Sequence, residues 1–184
     1  MQLIFDNLVA IMIAGVMFLI LVGVNQRSRV ASIESSGYYA MKQQELNFIE
    51  TLKRDMQNVT NLLNTGEDPV TLEFKFQART DAIDTTRRTI VYRRVFQTER
   101  DGEDLYQVQR FVDGASDGGS MATLVDWEIV AQNDEGVAVS NVANARQVFV
   151  HFEAVNPFEQ GETIDKSRWE ATFRPPLLQQ ATSI

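Results

Sequence analysis

LVAIMIAGVMFLILVGV, Leu8 to Val24, is an uncharged and almost wholly apolar run, and the arrangement of everything after it follows from how it is read. In a helix rising roughly 1.5 Å per residue it covers about 26 Å. With Leu3 to Phe5 added, the stretch approaches the roughly 30 Å hydrocarbon core of a bilayer. A cleavable secretory signal requires a basic leader region, a shorter apolar core and a small-x-small site. No lysine or arginine precedes this run, and Asn25-Gln26-Arg27-Ser28-Arg29 behind it reads as a polar stop. The expectation is an uncleaved membrane helix. Arg27 and Arg29 would draw the following domain to the cytoplasmic side by the positive-inside tendency, a pull that a removed basic leader or dedicated insertion machinery would override.

Asp6 stands just ahead of the run. A carboxylate at the edge of a bilayer costs up to a few kcal/mol and is retained for a partner or a pathway. Two readings stay open: an interface-level acid that complements the positive start of the helix, or an ion pair with the free amine of a neighbouring subunit.

The remaining composition is that of an ordinary soluble domain. Apolar residues make up 44% of the 184 residues, yet the mean hydropathy is −0.19, so the hydrophobicity is concentrated at the N-terminus. A net charge of −8 and a pI near 4.7 argue against nucleic acid as a partner, because phosphate neutralisation needs clustered basic residues. The absence of cysteine excludes disulfides, thiolate metal sites and a cysteine nucleophile.

Beyond the span, Val30, Ile33, Gly37, Met41, Ile49, Leu52, Met56, Val59 and Leu63 recur at steps of mostly three and four, the mark of one apolar helical face. Glu34, Lys42, Glu45, Glu50, Lys53, Arg54 and Asp55 fall on the opposite face. No proline intervenes before Pro69, and Asn64-Thr65-Gly66 offers a stop. Span and stalk together predict one helix of about 60 residues, near 90 Å long. Gly15, Gly23 and Gly37 each cost about 1 kcal/mol relative to alanine within it; they serve close packing or local melting, or are small residues that a membrane helix tolerates.

From Val70 the period changes from helical to alternating. Leu72, Phe74 and Phe76 face one way and Thr71, Glu73 and Lys75 the other; Ile90, Tyr92 and Phe96 oppose Val91, Arg93 and Val95 between Arg87 and Thr98. Arg100-Asp101-Gly102-Glu103-Asp104 is a turn, so Leu105 to Val112 is expected to pair back as a hairpin. Asp113 to Ser120 reads as a flexible loop, further strands as Thr123 to Gln132, Arg146 to Val155 and Arg168 to Phe173, and Pro175-Pro176 as the end of the series. The fold class is α+β: one long N-terminal helix, a transmembrane half plus an amphipathic half, packed on a C-terminal antiparallel sheet. The expected division is 1–25 membrane or core helix, 26–66 amphipathic stalk, 67–176 sheet domain and 177–184 loose tail.

Motifs of catalysis are wanting. His151, the one histidine, alternates with Phe149 and Glu153 along a strand and reads as structural. No nucleophile elbow, zinc-protease motif or phosphate-binding glycine loop occurs, so no enzyme, cofactor or metal is expected. Asp101, Glu103, Asp104, Asp113 and Asp117 could offer oxygen ligands to Ca²⁺, but their spacing is that of solvated turn residues rather than an EF-hand. Asn58-Val59-Thr60 matches the N-glycosylation triplet.

With span, acid, stalk and sheet in place, the chain resembles the type IV pilin and pseudopilin superfamily. The resemblance is carried by LIFDNLVAIMIAGVMFLILVGV and, through the sheet, by IVYRRVFQTERDGEDLYQVQRFVDG, LVDWEIVAQNDEG, ARQVFVHFEAV and WEATFRPP, whose rhythm is similar to that of the larger minor members, W-type in pili and J-type in type II secretion. It implies a non-enzymatic structural subunit that self-associates into a helical homopolymer, held in the inner (cytoplasmic) membrane before assembly and in an extracellular or periplasmic filament afterwards. Its implied partners are other copies, the membrane and the pilus or secretion assembly machinery. In the family the acid pairs with the N-terminal amine of an adjacent subunit, which assigns that role to Asp6 with Met1 and Gln2 at the terminus; removal of Met1 would put Asp6 in the family's position. Leu8, Ile11, Gly15, Phe18 and Leu21 are the expected filament-core positions. Three departures stand out: aspartate replaces the usual glutamate, the helix lacks the family's proline, and the basic leader is either outside this sequence or not used. The alternative from another class is a bitopic, membrane-anchored extracytoplasmic binding or scaffold protein that never polymerises.

Overall fold

The computed structural model describes residues 2–79, 86–100, 102–117, 121–155, 166–176 and 178, apart from the side chains of residues 2–6, 8, 9 and 122. One helix, α1 (Gln2–Gln57, 56 residues), precedes eight strands: β1 (Val59–Leu62), β2 (Glu73–Arg79), β3 (Arg87–Arg100), β4 (Glu103–Val112), β5 (Ala115–Ser116), β6 (Met121–Gln132), β7 (Gln147–Val155) and β8 (Lys166–Phe173). The strands form one antiparallel sheet in the order β1-β2-β3-β4-β6-β7-β8, with β5 added to β4. The expected α+β class, a long helix on an antiparallel sheet, is the observed one.

The helix ends earlier than the sequence spacing indicates. It stops at Gln57, not at Asn64-Thr65-Gly66. Asn58 closes it, donating from Nδ2 to Arg54 O (3.0 Å) and from its backbone N to Asp55 O (3.2 Å). Val59, which continues the apolar helical spacing, belongs with Leu62 to an edge strand paired with β2; a short apolar run carries either period equally well. Gly66 bridges Val130 of β6, and Leu63 is exposed.

Alternation in the strands places Phe74, Phe76, Ile90, Tyr92, Trp127, Ile129, Val148, Val150 and Phe152 beneath the helix, all buried. From above, α1 contributes Met41, Phe48, Ile49, Leu52 and Met56. Phe48 is central: its ring lies edge-on to Tyr92, Trp127 and Phe152 at centroid distances of 6.0, 5.8 and 5.7 Å, the geometry that aromatic quadrupoles favour. Phe96, expected on the face of Ile90 and Tyr92, is exposed because β3 and β4 run on as a hairpin past the end of β2. That hairpin pairs Arg100 with Glu103 and puts Gly102 at φ 81°, where glycine is the natural residue. The expected loop from Asp113 contains the short strand β5. Leu178, in the expected loose tail, is buried in the core; residues 177 and 179–184 lie outside the described ones.

Candidate functional site

Among the described residues, the first half of α1 is left without a protein partner. Ile11, Met12, Ile13, Val16, Met17, Phe18, Leu19, Ile20, Leu21 and Val24 are each between 55% and 73% exposed, so the surface is apolar all round rather than along one stripe. Helices of that kind belong in lipid or in the core of a larger assembly. Covering one such side chain is worth about 1.5–3 kcal/mol, so leaving all ten in water would forfeit more than the roughly 5–15 kcal/mol that stabilises a whole domain. The length agrees with the chemistry: no charged residue occurs between Asp6 and Arg27, a helical rise of about 30 Å. The described helix is long and apolar enough to cross a membrane, and it suggests a membrane anchor.

Of the expected core positions, Ile11, Phe18 and Leu21 project from this surface, and nothing lies within 4 Å of a side chain built on Gly15. Met1 lies outside the described residues, as do the side chains of Gln2, Asp6 and Leu8. Further along α1 the exposed row continues through Val30, Ile33, Tyr38 and Tyr39. Among the described residues Gly37 is the first buried one and Met41 the first core side chain.

The second half of α1 carries the structure's best-defined polar site, which the sequence pattern had on the solvent face. Asp55 is 4% exposed. Arg110 of β4 meets it with both edges of the guanidinium, Nε to Oδ2 at 2.6 Å and Nη2 to Oδ1 at 2.9 Å, and Tyr92 donates its hydroxyl to Oδ2 at 2.7 Å. Arg110 Nη1 also pairs with Asp117, beyond β5. Burial, reinforced by the adjacent Asp55 carboxylate, pushes the Tyr92 phenol well above its usual range. Burial works to lower the Arg110 pKa, but the hydrogen bonds and charge of Asp55 outweigh it and raise it. Fork geometry of this kind satisfies a buried carboxylate, and here it ties helix to sheet. Glu45, also assigned to the outer face, is buried and accepts from Lys42 Nζ (2.8 Å) and Ser167 Oγ (3.1 Å).

The remaining candidates disperse. Glu103 pairs with Lys166, Asp104 accepts from the Tyr106 hydroxyl, Asp113 accepts from the Thr89 backbone and Asp117 pairs with Arg110. Asp101 lies outside the described residues. These acids therefore serve separate contacts, and among the described residues no group of three or more acids and histidines is placed to hold a metal ion. His151 is buried on the outer face of β7, Nε2 3.4 Å from Asp126. The Asn58 and Thr60 side chains of the glycosylation triplet both bond to backbone carbonyls, at Arg54 and Gln77.

Compared with known proteins, the chain matches no family model, no curated protein and no solved structure.

Proposed function

We propose that the chain is a structural subunit of a type IV pilus-like or pseudopilus-like helical filament. The observation that carries this reading is the uncovered apolar half of α1, continuous with a half that is locked to a sheet domain. In the membrane, lipid covers the apolar half. In a filament, the corresponding surfaces of other copies cover it, with Leu8, Ile11, Gly15, Phe18 and Leu21 inside and the sheet domains outside. The subunit acts by assembling rather than by catalysis, extracellularly or in the periplasm, and its partners are its own copies and the assembly machinery. Asp6 sets the axial register, because an unpaired charge in an apolar core is costly and one paired with a neighbouring terminal amine is tolerated.

Asp6→Ala is expected to leave the chain in the membrane fraction and to abolish filaments sheared from cells and viewed by negative-stain microscopy. Normal filaments from that variant would remove the register role. The second reading is a membrane-anchored binding or scaffold protein that never polymerises; Arg27 and Arg29 directly after the span favour it over an exported filament only with its domain on the cytoplasmic side. Wild-type chain that stays entirely in the membrane after shearing, with no high-mass fraction released, would favour that reading or a low-copy minor subunit over a major filament subunit.

A further inference from the structure

α1 stops at Gln57, and a space opens beside its last turn. The space left there is a cleft of about 580 Å³ between the last turn of α1 and β2 to β5, within the size range of small-molecule sites. Its lining is unlike the rest of this acidic chain. Among the described residues, Arg54, Arg79, Arg88 and Arg110 line it with Asp55 and Asp117, a surplus of two positive charges in a molecule whose net charge is −8.

Arg110 is committed to Asp55 and Asp117, and Arg54 reaches Asp55 only at 4.0 Å. Among the described residues neither Arg79 nor Arg88 has an ion pair, and Arg79 Nε is buried without a hydrogen-bond acceptor. A buried guanidinium N–H is a donor that folding leaves unsatisfied unless something else accepts from it. Ala78, Ile90 and Val112 supply an apolar wall beside these cations.

We propose that this cleft binds a small organic molecule bearing a multiply charged oxyanion, a phosphate ester or a polycarboxylate. Arg79 and Arg88 take the anion in charge-assisted hydrogen bonds, and the body lies against Ile90 and Val112. Arg110, braced by Asp55, holds the floor of the site rigid. The cleft sits at the carboxyl end of α1, away from the apolar half, so occupancy does not depend on assembly.

The test is isothermal titration of the full chain in non-ionic detergent with pyrophosphate and with citrate, at ionic strength matched with sodium chloride. Saturable binding by at least one of them is expected, weakened about tenfold or more by Arg88→Gln and by Arg79→Gln and unchanged by Arg168→Gln on the distant strand β8. Arg88 is exposed at a strand end, so its variant retains the fold and keeps the test valid if Arg79→Gln unfolds. Absence of binding by both anions, or an equal loss in Arg168→Gln, would overturn the proposal.

Discussion

Asp55 shows how one side chain can join two elements distant in sequence. Its carboxylate takes three hydrogen bonds, two from Arg110 and one from Tyr92, so each polar group in the network depends on the others. Removing one partner of a buried pair strands the other charge and costs about 3–5 kcal/mol. Asp55→Ala should therefore lower stability by about that amount, while the double variant Asp55→Ala with Arg110→Met should recover much of it, as read from urea denaturation of the sheet domain. A double variant no more stable than the single one would show that the pair is worth more than its desolvation. Glu73 makes a pH-dependent contribution of the same kind. Hydrogen bonds from Lys75 and then Arg93 outweigh burial and hold its carboxyl below the ordinary value near 4.5. A depressed folded value means stability that is complete above the ordinary value and lost as the pH falls through the folded one. Glu67 runs the other way: burial exceeds the pull of Arg94 and raises its pKa, so its protonation on acidification restores stability. Glu73→Gln should accordingly flatten the fall in melting temperature below about pH 4.5, and an unchanged acid limb would place the loss elsewhere.

At the scale of the element, α1 is two helices in one. Its buried positions Met41, Glu45, Phe48, Leu52 and Asp55 alternate four and three residues apart, which keeps one stripe against the sheet over four turns. Phe48, in contact with three aromatic rings, is the anchor of that stripe. Phe48→Ala should cost about 3–5 kcal/mol in transfer and cavity terms together, measured by denaturation, whereas Leu46→Ala, on the exposed face, should change stability by no more than about 0.5 kcal/mol. The strands are legible for the opposite reason. Their period of two is written in Phe74-Lys75-Phe76 and Val148-Phe149-Val150, and the expected spans match β2, β3, β4, β6, β7 and β8 to within a few residues. The short strands β1 and β5, of four and two residues, carry too few positions for a period to register.

For the whole molecule the decisive fact is division of labour along one rod of about 84 Å. The sheet domain has its own core, to which α1 contributes only from Met41 onward. A chain beginning at Arg27 should therefore fold as a soluble monomer with the melting behaviour of the intact domain, checked by circular dichroism and light scattering. Aggregation or loss of cooperative melting would mean that the apolar half also supports the domain.

The apolar run and the alternating strands could be read from the sequence because hydrophobic burial is a property of each side chain and periodicity a property of local geometry; neither needs a distant partner to be known. They settled the α+β class and the uncovered first half of α1. The burial of Asp55 and Glu45 was hidden, since their counterparts Arg110 and Ser167 lie 55 and 122 residues away, and an isolated acid in a helix reads as solvated. The end of α1 at Gln57 and the arginine-lined cleft beyond it were likewise decided by tertiary structure: β1 forms only where β2 offers it a ladder, and charges carried by α1 and by strands β2, β3 and β4 become one site only once the sheet has brought them together.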